Sequence, residues 1–212
     1  MDKVGFNLGQ MAKELEALFD EQCNVEGAYD LTSEMYPVTW GIILRMDAIY
    51  KLNNAMKRIL NKRVASIASD QFTEALAWFI AVAARSNGFT NITVRSEKEL
   101  VPKVKPALRP DISIWRGDRC LAVVEAKTQL GWSRSTWKSD FQKRAELLKN
   151  QVADLTVLHV VLTNRNWSGL DPADAETGRE WFTLCDGWPG SSDTLSVINP
   201  IESVLKDIFT KV

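Results

Sequence analysis

Residues 109–129 read RPDISIWRGDRCLAVVEAKTQ. Two apolar runs flank a Gly117-Asp118 pair, a pattern that predicts two antiparallel strands joined by a tight turn. Each run carries charge where a buried strand should have none: Asp111 opens the first, and Glu125 and Lys127 close the second. Strand side chains alternate between faces, so Glu125 and Lys127 fall on one face, with Leu121 and Val123 before them, while Ala126 points away. Whether Asp111 joins them depends on register. A plain two-residue turn would set Asp111 and Glu125 on opposite faces. Bringing them together requires a three-residue loop, Gly117 to Arg119, or a bulge between the strands.

Working outward, ITVRSEKEL (92–100) reads as a preceding strand, and TVLHVVLTN (156–164) as a strand buried on both faces. Between hairpin and buried strand, residues 135–154 switch to helical period, with Trp137, Phe141, Leu148 and Val152 on one stripe. Upstream, Ser69 and Asp70 can cap a helix that Asn87-Gly88 stops. Its centre, EALAWFIAVAA (74–84), is apolar all round, which predicts burial, and Glu74 is the charged exception. Further helices are expected around 8–22, over 39–63, and after Asn199-Pro200 to the end. Beyond Asn164 the chain turns polar, punctuated by Gly and Pro, with Trp167, Trp181 and Trp188. The order predicts an α/β fold: a mixed four- to five-stranded sheet flanked by helices on both faces, with an N-terminal helical extension. The expected division is 1–66 for that extension, 67–164 for the core, and 165–212 for a C-terminal appendage of the same domain.

At 45% hydrophobic residues the chain can fill a sizeable core. No run approaches the ~18 apolar residues of a membrane span, and the Met-Asp-Lys start lacks a secretory apolar region, so a cytoplasmic protein is expected. Cys23, Cys120 and Cys185 are too widely spaced for a zinc cluster and odd in number, and read as reduced packing thiols. The net charge of −1 conceals a segregation: residues 1–35 and 171–212 are acidic, and the block between them is strongly basic. Such asymmetry suits a polyanionic partner, or simply mixes on the folded surface.

Two carboxylates held together repel, and burial worsens this, so Asp111 and Glu125 need a shared proton or a cation. Oxygen ligands without histidine or thiolate favour a hard divalent ion, Mg²⁺ by preference with Mn²⁺ a plausible substitute. Such an ion polarises phosphoryl oxygens, and Lys127 could neutralise charge on a phosphate or orient the attacking water. Acid, acid and lysine converge on metal-assisted phosphodiester hydrolysis.

Pro110-Asp111, Glu125-Ala126-Lys127 and the preceding helix with Glu74 resemble the PD-(D/E)xK nuclease superfamily, the restriction-endonuclease-like fold, over residues 69–164. The resemblance implies that Asp111 and Glu125 ligate a metal, that the Ala126 backbone carbonyl adds a third oxygen, and that Lys127 is the catalytic lysine. Glu74 would be the additional helix carboxylate some members use. It further implies an endonuclease on double-stranded DNA, commonly a homodimer matching a symmetric site as in type II restriction enzymes. A repair, recombination or mobile-element nuclease, or a catalytically inactive nucleic-acid-binding module, would carry the same residues.

Lys103, Lys105 and Arg109 lead into the hairpin, and Arg134, Lys138, Lys143, Arg144 and Lys149 follow it; these are candidate phosphate contacts or an exposed face. Trp132 could contact nucleic acid or pack. His159, the lone histidine, reads as a core residue rather than a base.

Overall fold

A computed structural model describes residues 8–25, 27–61, 68–101, 107–129, 136–165 and 177–211. Along the chain these form α1 (Leu8–Asn24), α2 (Pro37–Leu60), α3 (Ala68–Ser86), β1 (Ile92–Ser96), β2 (Ile112–Arg116), β3 (Arg119–Lys127), α4 (Trp137–Gln151), β4 (Thr156–Thr163), β5 (Trp181–Asp186), β6 (Ser196–Val197) and α5 (Glu202–Thr210). The strands lie side by side in chain order in one mixed sheet. Pairing is antiparallel at β1–β2, β2–β3 and β5–β6, and parallel at β3–β4 and β4–β5. Helix α4 is the crossover that a parallel β3–β4 pair requires.

The α/β class matches expectation, but the sheet has six strands rather than four to five. The difference arises beyond Asn164, where WFTLCD pairs with β4 as β5 and Ser196–Val197 adds a short edge. In the sequence that strand is short and set among polar, Gly- and Pro-rich neighbours, which dilute its apolar signal. In the fold it is buried from Trp181 to Cys185.

Alternation along the strands splits the core in two. Ile112, Ile114, Val124, Ala126, Leu158, Val160 and Leu162 point to one side, where Val38, Ile42 and Met46 of α2, Phe72, Leu76 and Ile80 of α3, and Leu205 and Phe209 of α5 cover them. On the other side Trp115, Val123 and Val157 pack against Ala145 and Leu148 of α4. The first half of α2 is therefore part of the main core. Among the described residues no helix is long and apolar enough to cross a membrane.

Helix α3 aims the site. It begins at Ala68, so Ser69 and Asp70 lie within its first turn instead of capping it; Asp70 there still complements the positive end of the helix dipole. Its other end closes as a Schellman motif: Phe89 N–H donates to the Ala84 carbonyl (2.8 Å) and Gly88 N–H to that of Arg85 (3.1 Å). Gly88 supplies the left-handed residue (φ 81°) that this stop demands.

Helices α2 and α5 are tied at their starts by a buried carboxylate. Glu202, 2% exposed, accepts from the Thr39 N–H (2.8 Å) and from its hydroxyl (2.7 Å), and that hydroxyl accepts in turn from Ile201 N–H (3.0 Å). The Thr39 N–H is one of the donors a helix start leaves without an intrahelical partner. Removing the carboxylate strands these donors out of water, so Glu202→Ala should lower unfolding free energy by about 2 to 4 kcal/mol, read from urea midpoints. An effect within error of zero would mean that the link contributes nothing.

Candidate active site

The β2–β3 hairpin starts as a two-residue turn, with Arg116 facing Arg119 and Trp115 facing Cys120. Gly117, at φ 57°, supplies the positive φ that the first position of such a turn needs. The ladder then slips: Ile114 faces Ala122, leaving Leu121 as the extra residue of a β-bulge. Leu121 and Ala122 both join the core under α3, while Cys120 and Val123 join the core under α4. Strict alternation had put Leu121 on the Glu125 face; the bulge moves it to the other. Beyond the bulge Ser113 faces Val123 and Ile112 faces Val124, so one step further sets Asp111 across from Glu125.

Asp111 is held from both sides. Its Oδ2 accepts from the Ala126 N–H at 2.7 Å, with Lys127 Nζ 3.8 Å from the same oxygen. Its backbone carbonyl accepts from Ser96 Oγ (3.1 Å) and Glu97 N–H (3.2 Å) at the end of β1. Lys127 is half-exposed, so its ion pair with Asp111 adds little stability and leaves the ammonium within reach of solvent.

Glu125 is 9% exposed and turns toward α4. Its Oε1 accepts from Arg144 Nε at 3.0 Å, and Arg144 Nη2 also donates to the Arg109 carbonyl at 3.2 Å. Burial pushes the Glu125 pKa above the ordinary glutamate value; Arg144 and Lys127 oppose this, and the nearby Asp111 charge adds to it.

A cavity of about 360 Å³ opens between the first turns of α3 and the end of the hairpin, lined among others by Asp70, Glu74, Glu97, Asp111, Ala126 and Lys127. Glu74, Asp111, Ala126 and Lys127 are therefore brought together. Glu125 is not among the lining residues and approaches from the α4 side, which leaves Asp111 as the carboxylate shared by the two halves. Asp70 and Glu97 were missed as site residues. The four-residue spacing of Asp70 and Glu74 on one helix face was a usable signal for the first. Nothing local marks Glu97, which reaches the cavity through a left-handed backbone (φ 48°) that residues other than glycine seldom adopt.

The donors are oxygens throughout, which fits a hard cation. Among the described residues no group of three or more His, Cys, Asp or Glu side chains is assembled to hold a metal ion. A cation at Asp111 and Glu125 would take two carboxylates and complete its shell with the Ala126 carbonyl and water.

The basic residues fare unevenly. Arg109 is engaged by Glu99 (2.6 Å), Lys149 by Glu180 (3.2 Å), and Lys138 sits over the Trp181 ring at 4.6 Å. Lys103, Lys105, Trp132 and Arg134 lie outside the described residues. The three cysteines are free and buried.

His159 is a core residue, 2% exposed, opposite Glu125 in the β3–β4 ladder and stacked on Phe141 with ring centroids 4.0 Å apart. Among the described residues neither ring nitrogen has a hydrogen-bond partner of good geometry, and burial, opposed in part by the Phe141 backbone, drives its pKa down to about 4.

Comparison of the chain with known protein families, with characterised proteins and with solved structures finds no match. The chemistry of the residues therefore carries the functional argument.

One consequence is a pH dependence with a defined sign. The unfolded chain takes a proton on His159 near pH 6.5 while the folded chain resists until about pH 4, so stability falls as pH drops through that window. Relative to His159→Leu, the unmodified protein should lose up to about 3 kcal/mol between pH 7 and pH 4, measured by urea unfolding. Parallel pH profiles would show that the imidazole does not titrate against folding.

Proposed function

We propose that the protein is a Mg²⁺-dependent endonuclease hydrolysing phosphodiester bonds of double-stranded DNA, built on a restriction-endonuclease-like core of the PD-(D/E)xK kind. One observation carries the reading: the bulge at Leu121 puts Ile112 opposite Val124, the register that one step further pairs Asp111 with Glu125, and Lys127 lies 3.8 Å from Asp111.

Asp111, Glu125 and the Ala126 carbonyl would hold the metal, with Glu74 at the cavity wall. Bound there, Mg²⁺ would supply Lewis acidity, and Mn²⁺ could replace it. The chain's own groups do the remaining work. The Ala126 N–H fixes the Asp111 carboxylate at 2.7 Å, so its orientation is set before any ligand arrives. Lys127 presents a half-exposed ammonium to a phosphate oxygen and offsets the negative charge that grows on it during hydrolysis. Lys103, Lys105, Arg109, Arg134 and Lys138 are proposed to contact the DNA backbone, with Arg109 and Lys138 first exchanging their present partners. Three reduced cysteines suit the cytoplasmic setting that goes with this reading.

The Arg144–Glu125 ion pair favours a second reading, an inactive nucleic-acid-binding module of the same fold, because the guanidinium already occupies one Glu125 oxygen. A repair or recombination nuclease is the further variant, distinguished by random or structure-dependent ends.

Supercoiled plasmid and Mg²⁺ separate these readings. The intact protein should nick or linearise the plasmid, and Asp111→Ala and Lys127→Ala should each slow cleavage by at least ~100-fold. Cleavage that persists in both variants would remove this site, and tight DNA binding without cleavage by the intact protein would favour the binding module.

A further inference from the structure

Most of the large apolar side chains that the described residues expose sit on α1 and α2: Met11, Leu15 and Leu18 on the first, Leu44, Leu52, Met56, Ile59 and Leu60 on the second. Among the described residues neither stripe has a partner. Helix α1 is anchored on α3 near its C-terminal end, where Phe19 meets Trp78 edge-on at 5.0 Å, Gln22 accepts from Trp78 Nε1 at 2.7 Å, and Asp20 pairs with Arg85 at 2.8 Å. Buried residues of α2 end at Met46. Past that point one side of α2 rests on the loop at Gly190, through Asp47 (2.8 Å) and Asn54 (3.1 Å), and the outer side is exposed among the described residues.

The two stripes border one groove of about 1060 Å³, walled by Leu15 and Leu18 of α1 and by Trp40 and Leu44 of α2, with Trp78 of α3 between them. At roughly 100° per residue, Leu52 and Ile59 lie within a quarter turn of Leu44, so they continue the α2 wall outward. A continuous apolar face of this kind is expected to be covered.

Charge identifies what covers it. Helix α1 carries Glu14, Glu16, Asp20 and Glu21 against Lys13 alone, whereas α2 beyond Asp47 carries Lys51, Lys57 and Arg58; Asp20 is already paired with Arg85 and Lys51 with Asp47, so the contrast rests on Glu14, Glu16 and Glu21 against Lys57 and Arg58. An apolar face with one acidic and one basic half is its own complement under a two-fold rotation. An unrelated partner would need the same divided pattern; a second copy of this chain has it by construction.

We propose that this face is an isologous dimer interface, in which the acidic α1 of one copy lies along the basic outer half of α2 in the other. Glu74 and Ser96 line both this groove and the hairpin cavity, so the interface abuts the candidate active site. The surface is inferred from apolar and charge pattern alone and stands whether or not the site cleaves DNA.

Sedimentation equilibrium of the full chain between 1 and 100 µM tests it. The unmodified protein should be a dimer. Leu52→Glu/Ile59→Glu, at positions 62% and 75% exposed, should be monomeric with unchanged circular dichroism and a thermal midpoint that no longer depends on protein concentration. Charge reversal on α1 (Glu14→Lys/Glu21→Lys) or on α2 (Lys57→Glu/Arg58→Glu) should each weaken self-association at least about tenfold. Mixing the two reversed proteins should restore a heterodimer. A monomeric unmodified protein, a dimer indifferent to Leu52→Glu/Ile59→Glu, or a failure of the reversed pair to complement each other would overturn the proposal. A monomeric variant that still cleaves plasmid would leave the nuclease reading intact.

Discussion

The slip of one residue at Leu121 is the constraint on which the site depends. The Gly117-Asp118 turn imposes a register that would send Asp111 and Glu125 to opposite faces. Inserting Leu121 as a bulge reverses the alternation for everything beyond it. Its cost is small because Leu121 does not dangle; with Ala122 it fills the core under α3. The same slip puts the Ala126 N–H where the Asp111 carboxylate can take it, and that hydrogen bond closes the end of the β2–β3 ladder. Packing, register and side-chain orientation are therefore set by one insertion, as β-bulges near functional sites commonly arrange.

Electrostatics divides the site into two halves joined by Asp111. On the α3 side, Asp70, Glu74, Glu97 and Asp111 line a cavity with Lys127 for balance. On the α4 side, Glu125 is buried with Arg144 on it and a neutral imidazole beside it in the next strand. Burial still raises the Glu125 pKa against both nearby cations. Arg144 plays a double part under the nuclease reading: it stabilises an otherwise costly buried carboxylate, and it has to share or yield that carboxylate when a cation enters.

Much of this was legible in the sequence because local patterns carry it. Helical period found α2 and α4, an apolar run stopped by the Asn87-Gly88 pair found α3, and a second apolar run found β4. The hairpin demanded either a longer loop or a bulge, and the structure uses the bulge. What was not legible depends on distant partners. Trp181–Asp186 becomes a strand because β4 offers an edge, not because its own neighbours announce it. Glu97 enters the cavity through a backbone conformation that no residue type signals. The engagement of Arg144 by Glu125 and of Arg109 by Glu99 could not be read from charge runs, which show how many cations there are and not which are already taken.

Under the nuclease reading, the bulge-set register makes Asp111 and Glu125 one cation site. Titrating the intact protein with Mn²⁺ and following free Mn²⁺ by electron paramagnetic resonance tests this without reference to cleavage. The unmodified protein should show a saturable site that is lost in Asp111→Asn and also in Glu125→Gln, with both variants folded by circular dichroism. Saturable binding that survives either substitution, or none in the intact protein, would contradict it.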